Sequence, residues 1–273
     1  RASETLHITQ PAVSNALARL RTHFEDPLFV REGRGVKPTA MADALMPAVR
    51  DALDRLRAGL EQRSTFEPSR STRVFNISAR DAGAFILAPG MASRLETEAP
   101  GIRIAWSQVQ RGHISTELAS GRLDLAVDVP DLRGPDLESV DLFATPYACV
   151  TGKDHPLAGQ ALSMEDFVAL RHVVVSSRRE GRSYVEEVAR AAGHRITPVM
   201  RLPHHLPALE IVRQTHLVAT VPLPLAAQAG LAVLRLPPAF PHLRTVLYWR
   251  RENAEDPALA WLRDLVQQVA GTT

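Results

Sequence analysis

The sequence predicts an α/β protein in three parts, and three observations lead to this fold class. Residues 1–38 carry an apolar stripe at helical spacing and then a basic, glycine-rich hairpin, the pattern of a winged helix-turn-helix. Residues 39–63 carry a longer stripe, typical of one extended helix. From residue 73 onward, strand-like and helical runs alternate, which favours parallel sheets covered by helices. A chain of 273 residues has room for two or three such units.

Composition and charge exclude several classes of protein. Apolar residues make up 45% of the chain, but no apolar run approaches the ~20 residues of a membrane span. The N-terminal stretch is polar, so we expect neither a secretory signal nor a membrane partner. Cys149 is the one cysteine, which fits a reducing cytoplasm, and its apolar neighbours favour a buried, inert thiol over a redox sensor. The formal excess of positive charge lies in residues 1–70, which carry 11 basic and nine acidic residues.

The first element with a clear pattern is a helix that follows a short helical piece, Arg1–Leu6. Thr9 is placed to cap this helix, and Pro11 falls in its first turn, where a missing N–H costs nothing. Its predicted buried stripe consists of Val13, Leu17, Leu20 and Phe24. The opposite face carries Pro11, Ser14, Asn15, Ala18, Arg19 and Thr22. Small polar side chains with an arginine at the edge suit a major groove, where Ser and Asn can contact base edges and Arg a phosphate or a guanine.

A predicted strand over Asp26–Val30 is followed by a glycine-bent loop, Arg31–Lys37, with three cations. This composition is typical of a wing that lies along a phosphate backbone. A single surface arginine such as Arg34 is, however, commonly just solvated.

The run Leu6–Arg21, followed by Asp26–Arg31 and Pro38-Thr39, closely resembles the winged helix-turn-helix of LysR-type transcriptional regulators over about thirty residues without a gap. The resemblance implies double-stranded promoter or operator DNA as a partner. It also implies that Gln10, Pro11, Ser14 and Asn15 face bases, with Arg31 and Arg34 in the wing. In that family another helix precedes this point, so we expect the DNA-binding domain of this chain to be incomplete.

A long helix is predicted over residues 40–63, about 36 Å in length. Its apolar seam consists of Met41, Leu45, Val49, Leu53, Leu56 and Leu60. Pairing two such helices would bury the seam, and the alternative is one amphipathic helix lying on its own domain. Pro47 should bend the helix. The family uses this helix for dimerisation, which implies self-association as a dimer and then a tetramer, and residues 64–72 are expected to form a hinge.

The pattern of residues 73–273, the body of the chain, predicts two subdomains. One comprises residues 73–145 plus 245–273 and the other residues 146–244, and the chain crosses between them near 145–147 and 237–241. Strands are predicted at 74–78, 102–106, 123–127, 173–176, 217–221 and 245–249. Helices are predicted at 83–98, 112–120, 182–193, 204–215, 222–229 and 257–270. Such sheets bind ligands at the carboxyl ends of strands, and a cleft between two lobes is a natural small-molecule site.

Several motifs in the body match LysR-type effector domains, namely Ala119–Ala126, His155–Leu157 and the last helix. The segment from Leu202–Leu209 through Thr220–Pro222, with Asp256-Pro257 and Trp261-Leu262, is similar to the subgroup that senses aromatic acids such as salicylate and nitroaromatics, and to its nodulation-regulator relatives. The resemblance therefore covers nearly the whole chain. It implies a two-lobed fold like that of periplasmic binding proteins, and a small-molecule effector of the aromatic-acid class.

The candidate effector-binding residues follow the predicted strands. They are Ser78, Arg80, Asp81, Ser107, Gln108, Ser176, Ser177, Arg178 and Thr220. Hydroxyl, backbone and arginine donors there would hold a carboxylate, with a helix cap as the alternative interpretation of Asp81. His204 matches a histidine of the aromatic-acid sensors, with a structural or surface histidine as the alternative. One departure is Arg179–Gly181, where relatives carry another histidine, so we do not expect an identical binding mode.

Neither an enzyme nor a cofactor is predicted. The sequence contains no nucleophile elbow, phosphate loop or dinucleotide fingerprint. Among the ten histidines only His204 and His205 are clustered, and adjacent helical residues point ~100° apart, so no metal site is expected. The main alternative function is a two-lobed solute-binding protein without DNA binding. A hydrolase is a third option, which lacks a nucleophile–base pair of recognisable spacing.

Overall fold

The computed structural model describes residues 9–33, 35–61, 66–176, 181–238 and 240–272, with the backbone alone for residues 32, 51 and 54–61. The predicted helical piece Arg1–Leu6 and the candidate residues Arg34, Ser177 and Arg178 lie outside this range. The chain divides into two compact units, residues 1–64 and 65–273.

In the first unit, helix α1 (Gln10–Phe24) leads to the antiparallel hairpin of β1 (Phe29–Glu32) and β2 (Gly35–Pro38), and then to α2 (Ala40–Glu61). Thr39 starts α2, because its Oγ1 accepts a hydrogen bond from Ala42 N (3.2 Å) and donates one to Asp26 Oδ1 (2.6 Å). Gly33 makes the hairpin turn with a φ of 60°. The predicted strand over 26–30 therefore starts three residues later than expected, after a turn held by Asp26.

The two apolar stripes of this unit are less buried than the sequence predicts. On α1, Leu20 is 47% exposed, while Val13, Leu17 and Phe24 are half-buried. The described part of the unit is too small to cover the whole stripe, since small assemblies bury only a fraction of their apolar surface. On α2, Val49 and Leu53 are 49% and 46% exposed, so this seam is largely open on the single chain. The helix continues through Pro47.

In the second unit, sheet I has the strand order β4-β3-β5-β12-β6. Its strands are β3 (Val74–Ala79), β4 (Arg103–Ser107), β5 (Leu125–Asp128), β6 (Leu137–Thr145) and β12 (Leu243–Arg250). Sheet II has the order β11-β7-β10-β8-β9. Its strands are β7 (Tyr147–Thr151), β8 (His172–Val175), β9 (Met200–Leu202), β10 (Val218–Pro222) and β11 (Ala232–Leu234). We call the two halves built on these sheets lobe I and lobe II.

The prediction of parallel sheets is wrong in part, because both sheets are mixed. Strand β3 runs parallel to β4 and β5, but β12 is antiparallel to both β5 and β6. Likewise β10 is parallel to β8 and antiparallel to β7. The reversed strands are those at which the chain passes between lobes, and a strand entering from the other lobe needs no helical crossover. Strands β6, β7, β9 and β11 were absent from the sequence prediction.

Helices cover both sheets. In lobe I these are α3 (Asp81–Glu98), α4 (Arg111–Ala119) and α9 (Pro257–Gly271). In lobe II they are α5 (Met164–Ala169), α6 (Tyr184–Ala191), α7 (His205–Gln214) and α8 (Leu223–Ala229). Helices α3 and α9 pack so closely in the lobe I core that a Cβ on Gly90 would approach Val269 Cγ1 to 2.7 Å. Among the described residues no helix is long and apolar enough to cross a bilayer.

Candidate functional site

The face of α1 predicted to contact DNA is exposed. Gln10, Pro11, Ser14, Asn15 and Arg19 all lie on the surface of the helix, and Arg31 is exposed on the hairpin. Thr9 occupies the N-cap position, but its side chain makes no capping hydrogen bond. A capping side chain bonds the second or third helical N–H, and Pro11 at the second position removes one of these two donors.

The hairpin is held against α1 by Arg21, which sequence reasoning did not single out. Its Nε donates to the carbonyl of Pro27 at 2.7 Å, and a terminal nitrogen donates to that of Phe29 at 3.4 Å. Because both acceptors lie at the start of the hairpin, Arg21 fixes the angle at which the wing leaves the helix. Its guanidinium is therefore engaged within the unit, in contrast to the exposed Arg19 and Arg31.

The second unit contains a cavity of about 290 Å³ between its two lobes. Lobe I supplies the carboxyl ends of β3 and β5 and the start of β12, and lobe II supplies the ends of β8 and β10 and the start of β7. The first residues of α3, α6 and α7 also line it, so three helix N-termini converge on the cavity. Helix N-termini carry partial positive charge, which favours an anionic group in this cleft.

On the lobe I side, Asp128 is a buried carboxylate that organises two arginines. Arg111 lies 3.0 Å from one of its oxygens, and Arg80 Nε lies 3.9 Å from the other. The backbone N–H of Val129 donates to Asp128 as well, at 2.8 Å. Asp128 is thus neutralised mainly by Arg111, and Arg80, whose side chain is 42% exposed, retains hydrogen-bonding capacity toward the cleft.

On the lobe II side, the rings of Tyr147 and Tyr184 stack with centroids 4.6 Å apart. The Tyr184 hydroxyl donates to the carbonyl of Pro241 at 2.8 Å. Burial, together with the neighbouring Tyr184, raises the pKa of Tyr147, and burial raises the pKa of Tyr184 to about 12, so both rings stay neutral. Thr220 adds a buried hydroxyl. Among the described residues its partner is the Cys149 thiol, which forms only weak hydrogen bonds.

Asp81 and His205 join the lobes across the cleft. The backbone N–H of His205 donates to Asp81 Oδ2 at 2.6 Å, and His205 Nδ1 donates to Oδ1 at 2.9 Å. Oδ1 also accepts from Ala82 N at 3.0 Å. Burial by itself would raise the pKa of Asp81, but the hydrogen bonds and charge of His205 and the Ala82 N–H hold it below its ordinary value.

The cleft brings together five of the predicted effector residues: Arg80, Asp81, Gln108, Ser176 and Thr220. The placement of three others needs correction. Ser78 is turned beneath the surface, where its Oγ accepts from Val109 N at 3.1 Å. Ser107 is exposed on the edge strand β4, because neighbouring side chains alternate between the faces of a sheet. His204 is 52% exposed and is not part of the cavity lining, although its Nδ1 lies 4.0 Å from Asp81 Oδ2, and His205, 15% exposed, lines the cavity instead.

Further lining residues were missed by sequence reasoning, notably Tyr147, Tyr184, Arg182 and Thr245. A signal existed for Tyr184, because Ser183 and Glu186 form a capping box that marks a helix start. Tyr147 stands at the predicted crossing between lobes. Cys149 is fully buried and burial raises its thiol pKa to about 12, in agreement with the prediction of an inert thiol.

An exposed helix-turn-helix face joined in one chain to a two-lobed ligand-binding body defines a one-component regulator. Residues 1–43 match the family model "Bacterial regulatory helix-turn-helix protein, lysR family", and residues 69–271 match "LysR substrate binding domain". The chain belongs to the LysR family of transcriptional regulators. It is therefore a DNA-binding regulator with an effector-binding domain and not an enzyme, and the alternative of a solute-binding protein without DNA binding is wrong.

Relatives match over nearly the full chain. The HTH-type transcriptional activator NagR of Ralstonia sp. is 35% identical over 269 residues, 97% of this chain and 89% of the relative. Nodulation protein D 3 of Rhizobium leguminosarum bv. phaseoli is 29% identical over 276 residues, 98% and 90% of the two chains. The crystal structure of the probable transcriptional regulator PA0477 from Pseudomonas aeruginosa is similar with a TM-score of 0.77 and 34% identity, covering 98% of this chain and 90% of that one.

Proposed function

We propose that this regulator is controlled by a small organic anion, an aromatic acid by class, that binds in the cleft between lobes I and II. The observation that carries the proposal is the convergence of three helix N-termini and two partly exposed arginines, Arg80 and Arg182, on one cavity. A guanidinium binds a carboxylate through two parallel hydrogen bonds, and the helix ends add favourable potential.

The remainder of the lining supports an aromatic ring on the acid. Stacked Tyr147 and Tyr184 form one wall, and valine, proline and leucine side chains occupy much of the rest. A volume of about 290 Å³ lies at the lower end of the range for ligand pockets, which favours a single-ring compound over a larger one. Gln108, Ser176 and Thr220 are proposed as polar contacts for the acid or a ring substituent. Ser177 and Arg178 remain proposals from sequence.

For DNA, we propose that Gln10, Pro11, Ser14 and Asn15 contact bases, that Arg19 contacts a phosphate or a guanine, and that Arg31 and Arg34 contact the backbone. The exposure of the described members of this set supports the assignment. We further propose that α2 forms a dimer through its open apolar seam and that dimers pair into tetramers, since a two-fold dimer matches palindromic half-sites. The protein would act in the cytoplasm.

The test is fluorescence anisotropy of the full chain on the DNA upstream of its own gene, with random DNA as the reference. Titrations with benzoate, salicylate and nitrobenzoates follow. We expect tight, salt-sensitive binding to the upstream DNA that shifts with at least one of the acids. Binding that is indifferent to all of them would contradict the effector class, and binding without preference over random DNA would contradict the operator assignment.

Arg80→Gln tests the cleft itself. Loss of a charge-assisted hydrogen bond costs about 1.5–3 kcal/mol, so affinity for the responding acid should fall at least tenfold. Asp128 keeps Arg111 and Val129 N as partners, so the substitution leaves no unpaired buried carboxylate. The control is Arg122→Gln, because Arg122 is an exposed arginine of lobe I that pairs with Glu117 and does not line the cleft. Equal losses in both variants would contradict the proposed role of Arg80.

A further inference from the structure

Helix α7 has a cap that comes from the opposite lobe. His204 occupies its N-cap position and makes no side-chain capping bond, and the N–H of His205, the first helical residue, is one of those for which an α-helix itself supplies no acceptor. Asp81 of lobe I accepts this N–H at 2.6 Å, and the residues lie 124 positions apart in sequence. Helices α5 and α6 of lobe II are capped differently, each by a serine of its own lobe, Ser163 and Ser183.

The same contact includes a side-chain bond and an apolar anchor. His205 Nδ1 lies 2.9 Å from Asp81 Oδ1, and an ionised carboxylate only accepts hydrogen bonds, so Nδ1 carries the proton. The next residue, Ala82, belongs to α3 of lobe I but is buried in the core cluster of lobe II, beside such residues as Leu209 and Val221. The start of α3 is thus docked on lobe II by one apolar side chain and one carboxylate.

Opening the cleft would break these bonds together. Separation of the lobes would leave the His205 N–H without its acceptor and remove the two His205 donors, so that Asp81 would keep only the Ala82 N–H of its own helix. Within lobe II, by contrast, loss of the Ser163 cap would loosen α5 without altering any contact of the cleft lining.

We propose that Asp81 is a positioning residue that sets the separation of the two lobes by capping α7 across the cleft. The inference rests on the proposed effector cleft. It adds a contact that fixes the distance between the lobes and that is coupled to ligand binding. A ligand that touches both lobes changes the strength of this cap, and by linkage a weaker cap changes the ligand's affinity. Asp81 acts through His205 and need not touch the ligand.

The experiment measures lobe separation in the full chain by electron paramagnetic resonance between two spin labels. Ser93→Cys on α3 and Lys153→Cys after β7 provide exposed sites in lobes I and II. Cys149 is buried and does not compete for the label. In this background, Asp81→Ala should shift or broaden the distance distribution. The control Ser163→Ala should leave the distribution unchanged.

Amide hydrogen exchange supplies a second readout at the cap itself. In Asp81→Ala the His205 amide should exchange about fivefold faster, the effect of losing a typical N-cap. Asp81→Asn should restore both readouts in part, because its amide oxygen accepts from the His205 N–H and its nitrogen donates to an unprotonated Nδ1. If Asp81→Ala does not fold, His205→Ala replaces it, since it deletes the side-chain bond and keeps the backbone one.

An unchanged distribution together with unchanged exchange in Asp81→Ala overturns the proposal, as does an equal shift in Ser163→Ala. Neither measurement uses a ligand. Failure here therefore leaves the effector proposal standing, whereas failure of the acid titration on wild-type protein would overturn the effector class and leave the cap intact.

Discussion

Two buried threonines on neighbouring strands of sheet II should respond in opposite ways to the same substitution. Thr151 Oγ1 on β7 donates to the carbonyl of Leu217 at 3.3 Å. Thr220 Oγ1 on β10 is also buried, but its partner among the described residues is the weakly hydrogen-bonding Cys149 thiol. Valine has nearly the shape of threonine and lacks the hydroxyl. Each Thr→Val change therefore removes the hydrogen bonds of one hydroxyl with little change in side-chain volume.

The magnitudes follow from this difference in partners. Removing the Thr151 hydroxyl leaves the Leu217 carbonyl short of one donor, which should cost about 1 kcal/mol of unfolding free energy. Removing the Thr220 hydroxyl relieves a buried group that is poorly satisfied, which should stabilise the protein by about 1 kcal/mol. For a unit of this size, 1 kcal/mol corresponds to a Tm change of about 2–4 °C.

The assay is urea or thermal unfolding of both variants beside wild type, followed by titration with the acid that shifts DNA binding. Thr220→Val should raise the midpoint and weaken acid binding about fivefold, since the Thr220 hydroxyl is proposed to bind the ligand. Thr151→Val should lower the midpoint and leave acid affinity unchanged. A destabilised Thr220→Val variant, or one with wild-type affinity for the acid, would refute the reasoning.

Five further outcomes are expected. Asn15→Ala should lose preference for the operator over random DNA in anisotropy titrations, whereas Arg31→Ala should weaken all DNA binding and reduce the salt slope by about 1. Gly90→Ala should cost about 1–3 kcal/mol in urea unfolding, because its methyl group would collide with α9. The lowered pKa of Asp81 stabilises the fold above pH ~4, and this stability is lost as pH falls through the folded pKa, so Asp81→Ala should flatten the acid side of the stability curve. Cys149 should resist alkylation at pH 8 until the protein is unfolded, given its burial and a thiol pKa of about 12.

The sequence predicted the elements with strong local signals. Helices α3 and α9 begin and end within two residues of their expected bounds, and α9 has a clear start signal in Asp256, whose side chain caps it ahead of Pro257. Strand β6 was missed, since Glu138 and Asp141 give it a polar, half-exposed surface. The direction of β12 depends on contacts with strands about a hundred residues away, which no local pattern reports.

For the site, the position of polar residues after strands was predictable, and their orientation was not. The expected helix start at residue 204 lies one residue before the observed start at His205. Successive residues of a helix point ~100° apart, so a shift of one residue is enough to turn a side chain from the solvent into the cleft. The stacked tyrosines were overlooked because Tyr147 and Tyr184 are 37 positions apart and meet only in the folded lobe.

The place of β12 in sheet I has a consequence for how this chain is made. Strand β12 lies between β5 and β6, although it is synthesised about a hundred residues after them. While the ribosome is still producing lobe II, β5 and β6 each expose an unpaired edge, a known template for aggregation. Lobe I therefore matures last. A stop codon just after lobe II would remove an interior strand of the first lobe along with α9, so we expect such truncated chains to aggregate or be degraded while still carrying residues 1–64.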